Sequence, residues 1–156
     1  MSERSLWVFL AYRLPREPST PRITVWRKLK RLGVAQLLDG LVALPLDARN
    51  REQLEWIADE VVEADGTASI WKAEATTARQ EKGLVAEMQS SIAAEYRSVI
   101  EDAATAAFTT PAATGRSLNR LRAELRRTRQ RDYFPPPERD KARRAVEELA
   151  ALVTQP

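Results

Sequence analysis

Three arginines, Arg13, Arg16 and Arg22, fall around one turn that also holds Ser19 and Thr20. A guanidinium presents a rigid fork of N–H donors that matches the oxygens of phosphate, sulfate or chromate. The turn reads Tyr12-Arg13-Leu14-Pro15-Arg16-Glu17-Pro18-Ser19-Thr20-Pro21-Arg22 and leads into Ile23 to Leu32. There Ile23, Trp26, Leu29 and Leu32 have the spacing of one helix face. A helix start offers free backbone N–H groups and a partial positive charge. Ser19 or Thr20 can cap that helix, Pro21 suits its first turn, and Gly33 suits its exit. Arg13, Arg16, Ser19, Thr20 and Arg22 are therefore the candidate oxyanion-binding residues. The competing reading pairs Arg13 and Arg16 with Glu17 or Asp39 and leaves an ordinary solvated loop.

A second kind of cationic feature lies on helix surfaces. The outer face of the first helix carries Arg27, Lys28, Lys30 and Arg31, with no acid between Glu17 and Asp39. Residues 116–132 hold seven basic and two acidic residues, and this block contains the excess behind a net charge of +3. On a helix, Arg120, Arg127 and Arg131 form one outer row, and Arg122, Arg126 and Arg129 another. Such rows neutralise phosphates and give salt-dependent nucleic-acid affinity. Arg27, Lys28, Lys30, Arg31, Arg122, Arg126 and Arg129 are the candidate DNA-contacting residues. The pattern is not specific, since it has neither interleaved aromatics for stacking nor a helix-turn-helix reading head. Plain solvation, with pairing to Asp102 or Glu124, and docking onto another protein remain open as alternatives.

Several chemistries are excluded by composition. The chain has no cysteine and no histidine. That removes disulfides, thiolate metal sites, Cys-His and Ser-His-Asp catalysis, and the commonest metal ligand. No Gly-rich nucleotide fingerprint is present that would bind a redox cofactor. The expectation is a non-enzyme with no catalytic residue, no metal and no cofactor.

The elements that must position these residues can be read in order. The chain has 156 residues, with 44% hydrophobic and 30% charged. That suits a soluble globular protein of one domain, or of one domain plus an appendage. Leu6 to Ala11 is a short apolar run, read as a strand because it is too short for a membrane span or a secretory signal. The expected compartment is the cytoplasm, with no membrane association. Val34 to Leu38 and Leu41 to Leu44 are strand-like around Asp39-Gly40, a strong hairpin signal. Pro45 to Asn50 reads as a loop. Arg51 to Ala64 reads as a helix with Leu54, Ile57 and Val61 inward, and Thr67 to Ala73 as a fourth strand. The expected fold class is α+β: a ferredoxin-like βαββαβ unit over residues 1–75, then three C-terminal helices over 76–156 packed on it. Continuous apolar strands imply that both sheet faces are covered, the second by those helices or by another subunit. Trp7, Trp26, Trp56 and Trp71 are expected in the core. A long helix from Ala78 to Ala107 carries Met88, Ile92, Tyr96, Val99 and Ala103 in one stripe. Thr109 to Gly115 reads as a flexible loop. Ser117 is expected to cap the arginine helix, with Leu118, Leu121 and Leu125 inward. Tyr133-Phe134-Pro135-Pro136-Pro137 breaks it, and Glu138 to Leu152 forms the last helix.

The turn at Tyr12–Arg22, followed by Val25-Trp26-Arg27-Lys28-Leu29 and Leu32-Gly33, resembles the N-terminal domain of the chromate-resistance protein B (ChrB) family. Further matching stretches are Asp39 to Pro45, Asn50 to Trp56, Glu95-Tyr96 and Asp132-Tyr133-Phe134-Pro135. The resemblance implies a bacterial protein that acts as a chromate-responsive transcriptional regulator of an efflux operon, not an enzyme. It also implies chromate or sulfate and DNA as partners. Family members look about twice this size, with a second C-terminal domain, so either that domain or a homodimer is an expected partner. A weaker resemblance is to the ferredoxin-like domain of the phenylacetate-pathway repressor PaaX and to the small nuclease-like subunit of CRISPR adaptation. In the nuclease-like relatives an aspartate ends the first strand and holds a metal. Here Tyr12-Arg13 takes that place, which implies no metal-dependent cleavage.

Overall fold

The computed structural model describes residues 5–154. The elements run β1 (Leu6–Arg13), α1 (Thr20–Leu32), β2 (Ala35–Leu38), β3 (Leu41–Pro45), α2 (Ala48–Glu63), β4 (Thr67–Glu74), α3 (Ala78–Ala106), α4 (Pro111–Gln130) and α5 (Glu138–Thr154). Four antiparallel strands form one sheet in the order β2-β3-β1-β4. This is the ferredoxin-like arrangement, and the α+β class with C-terminal helices stands. The chain divides into two compact units, one ending at Ala86 and one beginning at Glu87, so the division falls within α3.

In the first unit the register places Val8 opposite Leu44 and Leu10 opposite Val42, all on one sheet face. These four side chains are fully buried. Helix α2 packs against β1 and β4 through its Leu54, Ile57 and Val61 stripe, and α1 packs on α2. On the other face, Trp7 is buried and its indole Nε1 donates to Glu81 Oε1 at 3.2 Å, which ties the start of α3 to β1. Phe9 and Trp71 pair on that same face, but Trp71 is 60% exposed.

Several sequence expectations are corrected here. Only Trp7 of the four tryptophans is fully buried; Trp26 is half-buried and Trp56 and Trp71 are exposed. Trp56 lies on the outer side of α2, and Trp71 lies on edge strand β4. Helix α1 turns Val25 and Leu29 inward, while Ile23 is 49% exposed, so its apolar face is rotated from the Ile23-Trp26-Leu29 reading. Ser19 stands at the cap position of α1 but makes no side-chain capping bond, and Thr20 is already helical. Helix α2 starts at Ala48, inside the stretch read as a loop. The Asp47 carboxylate accepts from Asn50 N–H at 2.7 Å, and Asn50 Nδ2 donates to Pro45 O at 2.9 Å.

The second unit is a helical core. From α3 come Ile92, Tyr96, Val99 and Ala103; from α4 Leu118 and Leu121; from α5 Ala142, Val146 and Leu149. Residues 109–115 are not a flexible loop. Thr110 caps α4 by accepting from Ala113 N–H at 3.3 Å, and Thr114 Oγ1 donates to Ala106 O at 3.0 Å. The helix therefore starts at Pro111, and Ser117 lies inside it rather than at its cap. Two distant pairs of residues meet in this unit. The Tyr96 hydroxyl donates to Asp132 Oδ2 at 2.7 Å, and Glu95 pairs with Arg131 at 2.8 Å. Glu95-Tyr96 on α3 is thereby fastened to the residues that end α4.

Candidate functional site

Two glycines hold the end of β1 in place. Gly40, in the β2–β3 hairpin, has φ +79° and accepts from Tyr12 N–H at 2.8 Å. A Cβ on Gly40 would meet Tyr12 O at 2.4 Å, and one on Gly66 would meet Arg13 O at 2.4 Å. Both neighbours are backbone atoms, so neither contact can relax by a rotamer change. The hairpin and the α2–β4 connection are thus pressed against Tyr12-Arg13 from either side.

A cleft of 960 Å³ opens at this end of the sheet. Arg13, Arg16, Ser19 and Arg22 line it, together with Ile23, Trp26, Asp39 and Asp65. Four of the five candidate oxyanion residues are therefore brought together; Thr20 does not line the cleft. Among the described residues, Arg13, Arg16 and Arg22 form no ion pair within 4.0 Å. The expected pairing of Arg13 or Arg16 with Glu17 or Asp39 does not occur. Asp39 instead accepts a long bond from Gln36 at 3.4 Å. The Tyr12 hydroxyl is held above its ordinary pKa, mainly by burial and then by Asp39, with Arg22 opposing. It is a neutral donor at physiological pH. Lys30 Nζ lies 5.8 Å from the centroid of the Trp26 ring.

The remaining cations divide sharply. Lys28 pairs with Glu60 of α2 and so helps hold α1 to α2. Arg27 and Arg31 are exposed without an ion pair among the described residues. On α4, Arg120 pairs with Glu124 at 3.1 Å and Asp102 at 3.5 Å, and Arg131 is bound to Glu95. Arg122, Arg126 and Arg129 are exposed and form no ion pair among the described residues. Within the first row Arg120 and Arg131 brace the helices, while Arg127, like the Arg122 row, is exposed and forms no ion pair among the described residues. The sequence offers Asp102 and Glu124 as partners for this helix, which Arg120 takes up, but it does not place Glu95 against Arg131.

Among the described residues, no three acidic side chains converge as a metal-ion cage would require. No described helix is long and apolar enough to cross a membrane.

Comparison with known proteins decides the family. The family described as Protein ChrB, N-terminal, matches residues 22–155. The chain belongs to the ChrB N-terminal domain family. Protein ChrB of Cupriavidus metallidurans is 30% identical over 100 residues, which cover 64% of this chain and 27% of that protein. The chain thus spans about a quarter of the length of the curated ChrB that it matches. No solved structure matches. The family match begins at Arg22, so within the cleft it takes in Arg22, Trp26, Asp39 and Asp65, while Arg13 and Arg16 precede it.

Proposed function

We propose that this chain is the oxyanion- and DNA-binding domain of a chromate-resistance regulator, and that it carries no catalytic activity. The observation that carries this reading is the set of three guanidinium groups, Arg13, Arg16 and Arg22, lining one cleft with none of them in an ion pair among the described residues. Guanidinium groups gathered in a cleft without direct ion pairs suit a divalent oxyanion, which they can hold by charge-assisted hydrogen bonds. Membership of the ChrB N-terminal family makes chromate the first anion to try. The water-facing row Arg122, Arg126 and Arg129 supplies phosphate contacts to DNA.

Calorimetric titration with chromate tests the cleft. The expected result is one saturable site, lost in an Arg13→Ala, Arg16→Ala double variant whose circular dichroism is unchanged. Both side chains are exposed, so the fold should tolerate the change. Equal heats from variant and wild type would remove the cleft from the account.

A second reading has its own support. Trp71 is 60% exposed on edge strand β4. Large apolar groups left open to water mark docking surfaces when they gather in a patch. Trp71 lies beside Phe9, on the sheet face opposite α2, and suits contact with a second domain or a second copy; light scattering over a concentration series distinguishes the two.

A further inference from the structure

The cleft is larger, and chemically more mixed, than a tetrahedral oxyanion needs. Its 960 Å³ lies near the top of the range of about 300–1,000 Å³ that accommodates drug-sized ligands. Ile23 and Trp26, one helical turn apart on α1, give the cleft an apolar wall. Asp39 and Asp65 also line the cleft. Two carboxylates repel a bare dianion, but they accept hydrogen bonds from N–H and O–H donors. A site for chromate alone has no use for them.

We propose that the ligand class of this cleft is a nucleoside phosphate, with a tetrahedral oxyanion such as chromate occupying only its phosphate end. The inference rests on reading the cleft as an anion site. Arg13, Arg16 and Arg22 bind the phosphate through charge-assisted hydrogen bonds. The base lies against Trp26 and Ile23, as aromatic side chains take bases of any sequence. Asp39 or Asp65 accepts from base N–H groups or ribose hydroxyls. Guanine suits a carboxylate best, because its adjacent N–H and amino donors face the two carboxylate oxygens. On this reading chromate competes with the nucleotide for the arginines, and displacement is the signal.

The test uses the full chain at fixed ionic strength. Inorganic phosphate, sulfate, guanosine, GMP and a short 5′-phosphorylated single-stranded oligonucleotide are titrated calorimetrically. GMP is expected to bind at one site at least about fivefold more tightly than phosphate, the low end for one base–aromatic stack. Chromate displaces it. Trp26→Leu removes that advantage and leaves sulfate binding unchanged. Because Trp26 is half-buried, a second readout on the wild-type chain guards against a folding defect: the Trp26 indole N–H signal shifts with GMP and not with phosphate. An oligonucleotide that binds more tightly than GMP, with the same dependence on Trp26, assigns the nucleoside phosphate to a strand. Weaker oligonucleotide binding assigns it to a free nucleotide. If GMP binds no more tightly than phosphate while sulfate still binds, the nucleoside proposal is overturned and the anion site stands. If no anion binds, both are overturned.

Discussion

Truncating Tyr96 to alanine is expected to cost about 3–5 kcal/mol of stability, the range for removing a large buried aromatic. The ring is fully buried among Ile92, Val99, Leu118 and Leu121 at the centre of the second unit. Its hydroxyl donates to Asp132 Oδ2 at 2.7 Å, and the Asp132 side chain is only 1% exposed. Asp132 Oδ1 already has no hydrogen-bond partner, and Arg139 stands off at 3.7 Å. Burial and the carboxylate hold the phenol well above its ordinary pKa, so it stays a donor at all physiological pH values. The Tyr96→Phe change keeps the ring and removes only the donor. It should cost about 1–3 kcal/mol, because a buried carboxyl group then loses its closest partner. Urea unfolding followed by circular dichroism measures both. A Tyr96→Phe variant as stable as wild type would mean that the Asp132 contact contributes nothing beyond ring packing and the Glu95–Arg131 pair.

The second large effect concerns DNA. Replacing Arg122, Arg126 and Arg129 together by alanine should flatten the dependence of DNA affinity on salt. Each phosphate contact contributes about 0.9 to the slope of log affinity against log salt, so three contacts remove roughly 3. The control is Arg120→Ala, which removes a charge already committed to Glu124 and Asp102 and should change the slope by less than about 1. Fluorescence anisotropy with a duplex at several salt concentrations gives both slopes. Equal slopes for the triple variant and the wild type would remove this row from the proposed DNA contact. A drop as large for Arg120→Ala as for one residue of the row would mean that the two rows are not distinct.

Much of this arrangement was legible in the sequence, and the failures have specific causes. The hairpin at Asp39-Gly40 was readable because its turn demands positive φ, and the stripe on α3 because its spacing is regular. The arginines of the first turn were readable as a group, since they are close in sequence. Asp65 was not expected in the cleft, because it reaches that end of the sheet only through pairing of β4 with β1. Trp26 was read as core because it shares a spacing with Leu29; the buried face of α1 proved to centre on Val25 and Leu29 instead. Trp56 and Trp71 failed for a different reason, since hydrophobicity does not say which side of a helix or edge strand faces water. The start of α4 was missed because Thr110-Pro111 was read as a loop signal, although threonine followed by proline also opens a helix. The joining of Glu95-Tyr96 to Arg131-Asp132 is a tertiary fact, and no local pattern announces it.

Whether the turn after β1 holds an oxyanion is decided by locating the anion on the protein. Arginine side-chain N–H signals can be followed by heteronuclear NMR during a sulfate titration, with chromate as the second anion. Saturable shifts at Arg13, Arg16 and Arg22, with Arg122, Arg126 and Arg129 moving only in proportion to ionic strength, are the predicted result. Shifts confined to the α4 arginines, or no saturable shift at the first turn, would contradict it.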